Sequence, residues 1–262
     1  DKFLLGRMLG TTAVAVYGVA SQLNNLYTGL SSSVSAVFIP RINLLVAGEN
    51  DNKKLTDIFT QVGRIQFIIL ALIMSGYILF GNQFIAIWAG EGYEAAYRIG
   101  ILLMLPITVP LIQNLGIEIQ RAKNMHKARS VVYLFVAISN IFVSIPCIKV
   151  WGASGAAVGT AISLSVGNGL FMNIYYHRKI KLDIIYFWKS IAKFTPAIVI
   201  SAAAGIGLKY IFNGLGIVTL AVSIVLYTIV YSGAMWFVGM DESEKMLIRK
   251  PIKAIGEKIC RK

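Results

Sequence analysis

The sequence predicts an all-α, polytopic membrane helical bundle, and three observations carry that reading. Of its 262 residues, 56% are hydrophobic and only 14% charged, too little charge to cover a soluble domain of this size. The apolar residues fall into runs of about 20 or more, the length at which a helix crosses a bilayer. The basic residues concentrate in every second connection between those runs. Twenty of the 25 Lys and Arg lie in the connections at 41–64, 121–129 and 177–193 and in the segment after 241, and the other five are Lys2, Arg7, Arg98, Lys149 and Lys209. That imbalance is a positive-inside signal across seven spans. It predicts a cytoplasmic C-terminus and places Asp1 near the outer face.

The first predicted span, Ala13 to Pro40, is uncharged, and as a helix it would be roughly 40 Å long. Leu23, Leu26, Leu30, Val34 and Val37 recur at helical spacing along one face. Ser21, Asn25, Thr28, Ser32 and Ser35 recur along the opposite face, with Asn24 and Ser31 beside them. Such a helix has two different neighbours. Its polar stripe serves either close helix packing through small residues and interhelical hydrogen bonds or the wall of a hydrated passage, and the two readings are compatible.

A polar connection, Arg41 to Arg64, leads to a second span at about 65–88, expected to break at Gly81-Asn82-Gln83, with Trp88 as an interfacial anchor. A third span, about 99–120, carries Pro106 and Pro110 and is expected to kink. The fourth, 130–150, is joined through Trp151-Gly152 to a fifth, about 153–176. After the basic connection 177–193, a sixth span at 194–212 turns at Asn213-Gly214 into a seventh at 217–238. The charged tail, 241–262, is expected at the membrane surface. Asp1 is not a starting Met and no signal segment precedes it, so the chain reads as part of something longer.

No catalytic constellation is visible and no cofactor is implied. There is no Gly-rich phosphate loop, HExxH motif or carboxylate pair, and His126 and His177 sit at helix ends. Cys147 and Cys260 fall at opposite ends of the predicted topology, where they cannot bridge, and neither has metal-ligand company. The net charge of +13 is spread over connections and not gathered into one patch with aromatics, which argues against nucleic acid. Glycines 152, 155, 159, 167 and 169 suit close helix approach. Glu118 is the one acidic residue inside an apolar run, with Asn114 one turn before it and Arg121 one turn after. It reads either as an interfacial pair with Arg121 or as a gate or ion-coupling group. Arg7 either lines a passage or snorkels to headgroups. Asn114 and Asn168, amides within predicted spans, join Arg7, Ser21, Asn25, Thr28 and Ser32 as candidate donors of a hydrated passage.

The stretch Ser139-Asn140…Ile145-Pro146…Gly152-Ala-Ser-Gly155-Ala156-Ala157…Thr160-Ala-Ile-Ser163 resembles the Asn…Ile-Pro…Gly-x-x-Gly-Ala-Ala…Thr-x-Ile-Ser signature of polysaccharide biosynthesis flippases. These are members of the multidrug/oligosaccharidyl-lipid/polysaccharide exporter superfamily. Asp1-Lys-Phe-Leu-Leu-Gly6-Arg-Met-Leu-Gly10…Val14-Ala-Val-Tyr17, through Phe38-Ile-Pro40-Arg41, resembles the same family's entry into its eighth membrane helix. The resemblance implies two pseudo-symmetric lobes of six helices, often followed by two more, and alternating access. On that map, residues 1–176 are the second lobe of the core without its first helix, 177–240 the extra pair and 241–262 a basic cytoplasmic tail. The implied activity is flipping undecaprenyl-pyrophosphate-linked oligosaccharide to the outer leaflet of a bacterial inner membrane, for O-antigen, capsule or exopolysaccharide. The implied partners are membrane lipid, that substrate and the absent N-terminal lobe. The alternatives are a drug or cation exporter of the same superfamily and, from another class, a membrane glycosyltransferase or ligase or a purely structural membrane subunit.

Overall fold

The computed structural model describes residues 1–48, 51–212 and 216–246. The expected turn at Asn213-Gly214 and most of the tail lie outside them. Among the described residues every regular element is helical. Six helices are long and apolar enough to cross a membrane, and a bent pair makes a seventh. The protein is an all-α polytopic membrane bundle.

Helix α1 (Lys2–Leu9) turns at Gly10, whose φ of 87° only a residue without a side chain adopts cheaply. It folds back along the start of α2 (Thr11–Ala36). The striped helix ends near residue 36, and α3 (Ile39–Ala47) continues after a 46° bend. Pro40 sits in the first turn of α3, where its missing N–H costs nothing.

The predicted polar connection 41–64 is largely helix. Most of α3 and the first third of α4 (Asn52–Trp88) occupy it. Asp51 starts α4 by accepting from Lys53 N at 2.8 Å and Lys54 N at 3.4 Å, replacing two missing intrahelical partners. The expected break at Gly81-Asn82-Gln83 is absent, since α4 runs straight through to Trp88. Gly81 instead admits the ring of Tyr77.

The third span does interrupt, but beyond its prolines. Pro106 and Pro110 are accommodated inside α5 (Ala95–Ile112), and the chain breaks at Gln113-Asn114 before α6 (Leu115–Ala122). Next come α7 (Lys127–Trp151) and α8 (Ala153–Ile180), the latter containing π-helical turns at Ser165–Phe171 and Tyr176–Ile180. The predicted connection 177–193 is helical too: α9 (Ile184–Ala192), capped by Asp183 accepting from Tyr186 N at 2.9 Å, leads into α10 (Thr195–Ile211). Helix α11 (Ile217–Gly239) completes the set.

Three glycines make the α7–α8 pair possible. A Cβ on Gly155 would fall on the Cys147 carbonyl, on Gly159 on Ser144, and on Gly167 on Val136. Gly152 instead supplies the turn, at φ 60°, and Gly169 faces open space. Tyr227 and Tyr231 fasten α11 to α4 by donating to Ser75 Oγ at 2.6 Å and Ile68 O at 2.8 Å.

Four basic segments meet at one end of the bundle. Lys123 donates to Asn52 Oδ1 and Ile180 O, and Asp183 N donates to Thr56. Arg64, 5% exposed, donates Nε to Glu244 Oε1 at 2.6 Å and Nη2 to Glu244 Oε2 at 2.9 Å. The same guanidinium reaches Ser190 O at 2.5 Å and Gly239 O at 3.3 Å, and lies over the Phe194 ring. This buried fork clamps the segment after α11 to α4 and to the α9–α10 elbow.

Candidate functional site

The two stretches that carry the family resemblance converge on one carboxylate. Because α1 folds back on α2, Asp1 lies level with Tyr17, whose hydroxyl donates to Asp1 Oδ2 at 2.6 Å. Thr160 of α8 donates to the same oxygen at 2.6 Å, and Asn140 of α7 donates to Oδ1 at 3.3 Å. Ser144, one turn beyond Asn140, donates to Asn140 Oδ1 at 2.7 Å. Thr160 lies eight residues, about 12 Å, along α8 from the Gly152 turn, inside a helix long and apolar enough to cross a hydrocarbon layer of about 30 Å. Ionisable groups at such depth are expensive and are kept by function. Here three helices present neutral donors to the carboxylate, and no described side-chain cation pairs with it.

In the sequence, Asn140 and Thr160 stand out only as motif letters, and Asp1 only as a motif letter and a marker of topology. The overlooked signal was that each is a polar position inside an otherwise apolar motif segment.

The polar stripe of α2 is divided. The face turned into the bundle lies mostly between the two predicted stripes and takes Ser35 alone from the polar one: Val16, Tyr17, Ala20, Tyr27, Ser31 and Ser35. Gln66 of α4 donates to Ser35 Oγ at 2.8 Å and Ser31 O at 3.0 Å, and Ser31 donates to Leu111 O at 2.8 Å. Tyr27 Oη pairs with Thr108 Oγ1 at 2.8 Å. These are dry, close-packed contacts, as the packing reading requires. Ser21 and Thr28 are half-buried and bond back to the Tyr17 and Asn24 carbonyls. Asn25 and Ser32 are exposed, with Gln22, Gly29 and Ser33 alongside, and no described residue covers that face. Leu26 and Leu30 of the apolar stripe are exposed as well, at 65% and 44%.

The remaining candidates do not gather at one place. Arg7 is exposed near the tip of the α1–α2 hairpin, and Gly6 packs over Val14, so Arg7 stands roughly 16 Å along the helix axis from Asn25. Glu118 accepts from Arg121 at 2.9 Å across one turn of α6, with the arginine 67% exposed, the geometry of a surface pair of small energetic weight. Asn114 is half-buried at the α5–α6 break. Asn168 is buried in a π turn of α8 and lines a narrow cleft with Gln113 and Arg129. Below it lies a further hub that the sequence did not single out: Asn173 Oδ1 accepts from Gln113 at 2.8 Å and Trp188 at 3.0 Å.

An all-helical multi-pass bundle with hydrogen-bonded polar clusters at membrane depth is the class that fold and site define. Residues 1–98 match the family described as polysaccharide biosynthesis protein. Over 170 residues the chain is 22% identical to the probable flippase AglR of Haloferax volcanii, an alignment covering 64% of this chain and 36% of that protein. The chain thus spans about a third of the length of this relative. No solved structure matches. The two matches bear out the resemblance to polysaccharide biosynthesis flippases.

Proposed function

We propose that the chain is one lobe, with two additional helices, of a flippase that carries a lipid-pyrophosphate-linked oligosaccharide across a bacterial plasma membrane by alternating access. The Asp1 cluster is the observation that carries this reading. A carboxylate at membrane depth, bonded by Tyr17, Thr160 and Asn140 and unpaired with any described cation, is suited to take up and release a proton or small cation. Its donors come from α2, α7 and α8, so uptake changes the attraction between helices that must move relative to one another. The uncovered face bearing Gln22, Asn25, Ser32 and Ser33 is the wall offered to the substrate, opposite a preceding lobe of the same protein. Twenty basic residues on alternate connections support a cytoplasmic C-terminus, with Glu118–Arg121 at that side as a gate contact.

The test is surface polysaccharide in a flippase-deficient strain at matched membrane levels of protein. Asp1→Asn keeps the shape and one acceptor oxygen but removes the charge, so it should lower export at least tenfold while Leu26→Ala leaves it near normal. Full export by Asp1→Asn would remove the cluster from the mechanism.

A further inference from the structure

At the basic end of the bundle, where the α6–α7 turn, the start of α4 and the end of α8 meet, there is a cavity of about 480 Å³. Lys123, Lys179 and Lys181 line it, and the described residues of its lining include no carboxylate. The polar remainder is Asn52 and Asn124, and Val46, Ala122, Met125 and Ile180 supply the apolar part of the lining. Three like charges around one hollow repel each other, and chance surface lysines would splay apart. Here the fold holds one of them in place. Lys123 Nζ is tied to Asn52 Oδ1 at 2.6 Å and to Ile180 O at 3.3 Å, and an ammonium has three donors, which leaves one for a ligand.

The backbone is specialised at the same place. Asn124 and Lys181 are the two non-glycine residues in the left-handed region among those described, at φ 59° and 63°, and both line this cavity. Lysine adopts that conformation at a cost, which persists where the surroundings impose it. Burial, and next the charge of Lys181, hold Lys123 below the ordinary lysine range, a penalty that a bound anion would offset. A neighbouring cavity shares Lys181 and Asn52 but contains Asp57 and Asp183. Among the described lining residues of the two cavities, the carboxylates are on that side.

We infer that this cavity binds a phosphate group, with Lys123 as the fixed donor and Lys179 and Lys181 closing around it. The apolar part of the lining and the position at a helix-bundle end suit the phosphodiester of an anionic lipid headgroup, and the same donors would bind a soluble phosphate. The inference does not rest on transport, and its readout is binding.

The whole chain is reconstituted and tested with two probes: phosphatidylglycerol against phosphatidylcholine, followed by native mass spectrometry, and inorganic pyrophosphate in lipid-free detergent, followed by thermal stabilisation. The side chains of Lys179 and Lys181 are exposed and form no described hydrogen bond, so Lys179→Gln/Lys181→Gln should fold normally. A basic residue near the surface contributes about fivefold to anionic-lipid affinity, so the pair should weaken binding roughly 25-fold. Lys149→Gln/Lys209→Gln, remote from the cavity, should change nothing, and Lys181→Arg should retain binding. Loss in the phosphatidylglycerol arm alone identifies a headgroup site; loss in the pyrophosphate arm identifies a site for soluble phosphate. Equal binding of both probes by wild type and the Lys179/Lys181 variant, or equal losses in the remote control, would overturn the inference.

Discussion

Removing Glu244 or Arg64 tests the tie between the segment after α11 and the rest of the bundle. Both side chains are almost fully enclosed, at 4% and 5% exposure, and the guanidinium is bidentate to the carboxylate. Breaking a buried pair from one side costs about 3–5 kcal/mol because the surviving charge stays desolvated. The two single variants should differ within that range. Without Glu244, Arg64 keeps the Ser190 and Gly239 carbonyls, the Phe194 ring and Asp241 Oδ2 at 3.2 Å. Asp241 is half exposed, so it can follow the guanidinium, which places Glu244→Ala near 3 kcal/mol. Without Arg64, the Glu244 carboxylate keeps, among the described residues, the Asp241 backbone N–H at 2.9 Å, and Arg64→Ala should fall nearer 5 kcal/mol. The double variant Arg64→Met/Glu244→Leu removes both charges and should recover most of the loss, giving a coupling well above the roughly 0.5 kcal/mol scatter of independent sites. Reversible unfolding in mixed micelles, followed by tryptophan fluorescence and by proteolysis after α11, reads both quantities. Single variants costing under about 1 kcal/mol would show that water reaches the pair, and the clamp would be discarded.

Three further outcomes follow from the packing. Gly159→Val drives a side chain into Ser144 and should destabilise by about 1–3 kcal/mol as overpacking does, whereas Gly169→Ala, with open space around it, should be close to neutral by the same unfolding measurement. With Cys147 and Cys260 replaced by serine, cysteines at 25 and 32 should react with a small water-soluble thiol reagent if that face meets a cavity, while 31 and 35, packed on Gln66, stay protected; equal protection of all four would remove the cavity wall. Glu118→Gln should lower export without lowering membrane abundance if the pair gates, and charge reversal at both 118 and 121 should restore part of it; normal export by Glu118→Gln reduces the pair to a surface contact.

Much of this architecture is written locally in the chain. Hydropathy summed over about 20 residues reports whether a helix can leave water, so the spans were legible within a few residues at most ends. What that sum cannot report is whether polar residues between spans are loop or helix. The start of α4 and all of α9 are helical because Asp51 and Asp183 cap them and because Phe59 and Phe187 pack together at 4.8 Å, a contact across 128 positions of sequence. The break at Gly81-Asn82-Gln83 did not form because a glycine inside a helix costs only about 1 kcal/mol, and the ring of Tyr77 fills the space that Gly81 leaves.

The polar groups show the limit more sharply. Spacing on α2 correctly separated a polar from an apolar stripe, since 3.6-residue periodicity is a property of one helix alone. Which direction faces inward is set by where α4 and α5 present Gln66, Thr108 and the Leu111 carbonyl, and it fell mostly between the stripes. Asp1 meets Asn140 and Thr160 across 139 and 159 positions of sequence. No pattern within a single span encodes that meeting. It arises because Gly10 reverses α1 onto α2, and because Gly155 and Gly159 let α7 and α8 approach closely enough to present both residues to one carboxylate. Which segments enter the membrane was therefore determined by composition along the chain, and which polar groups share a partner inside it was decided only when the helices packed.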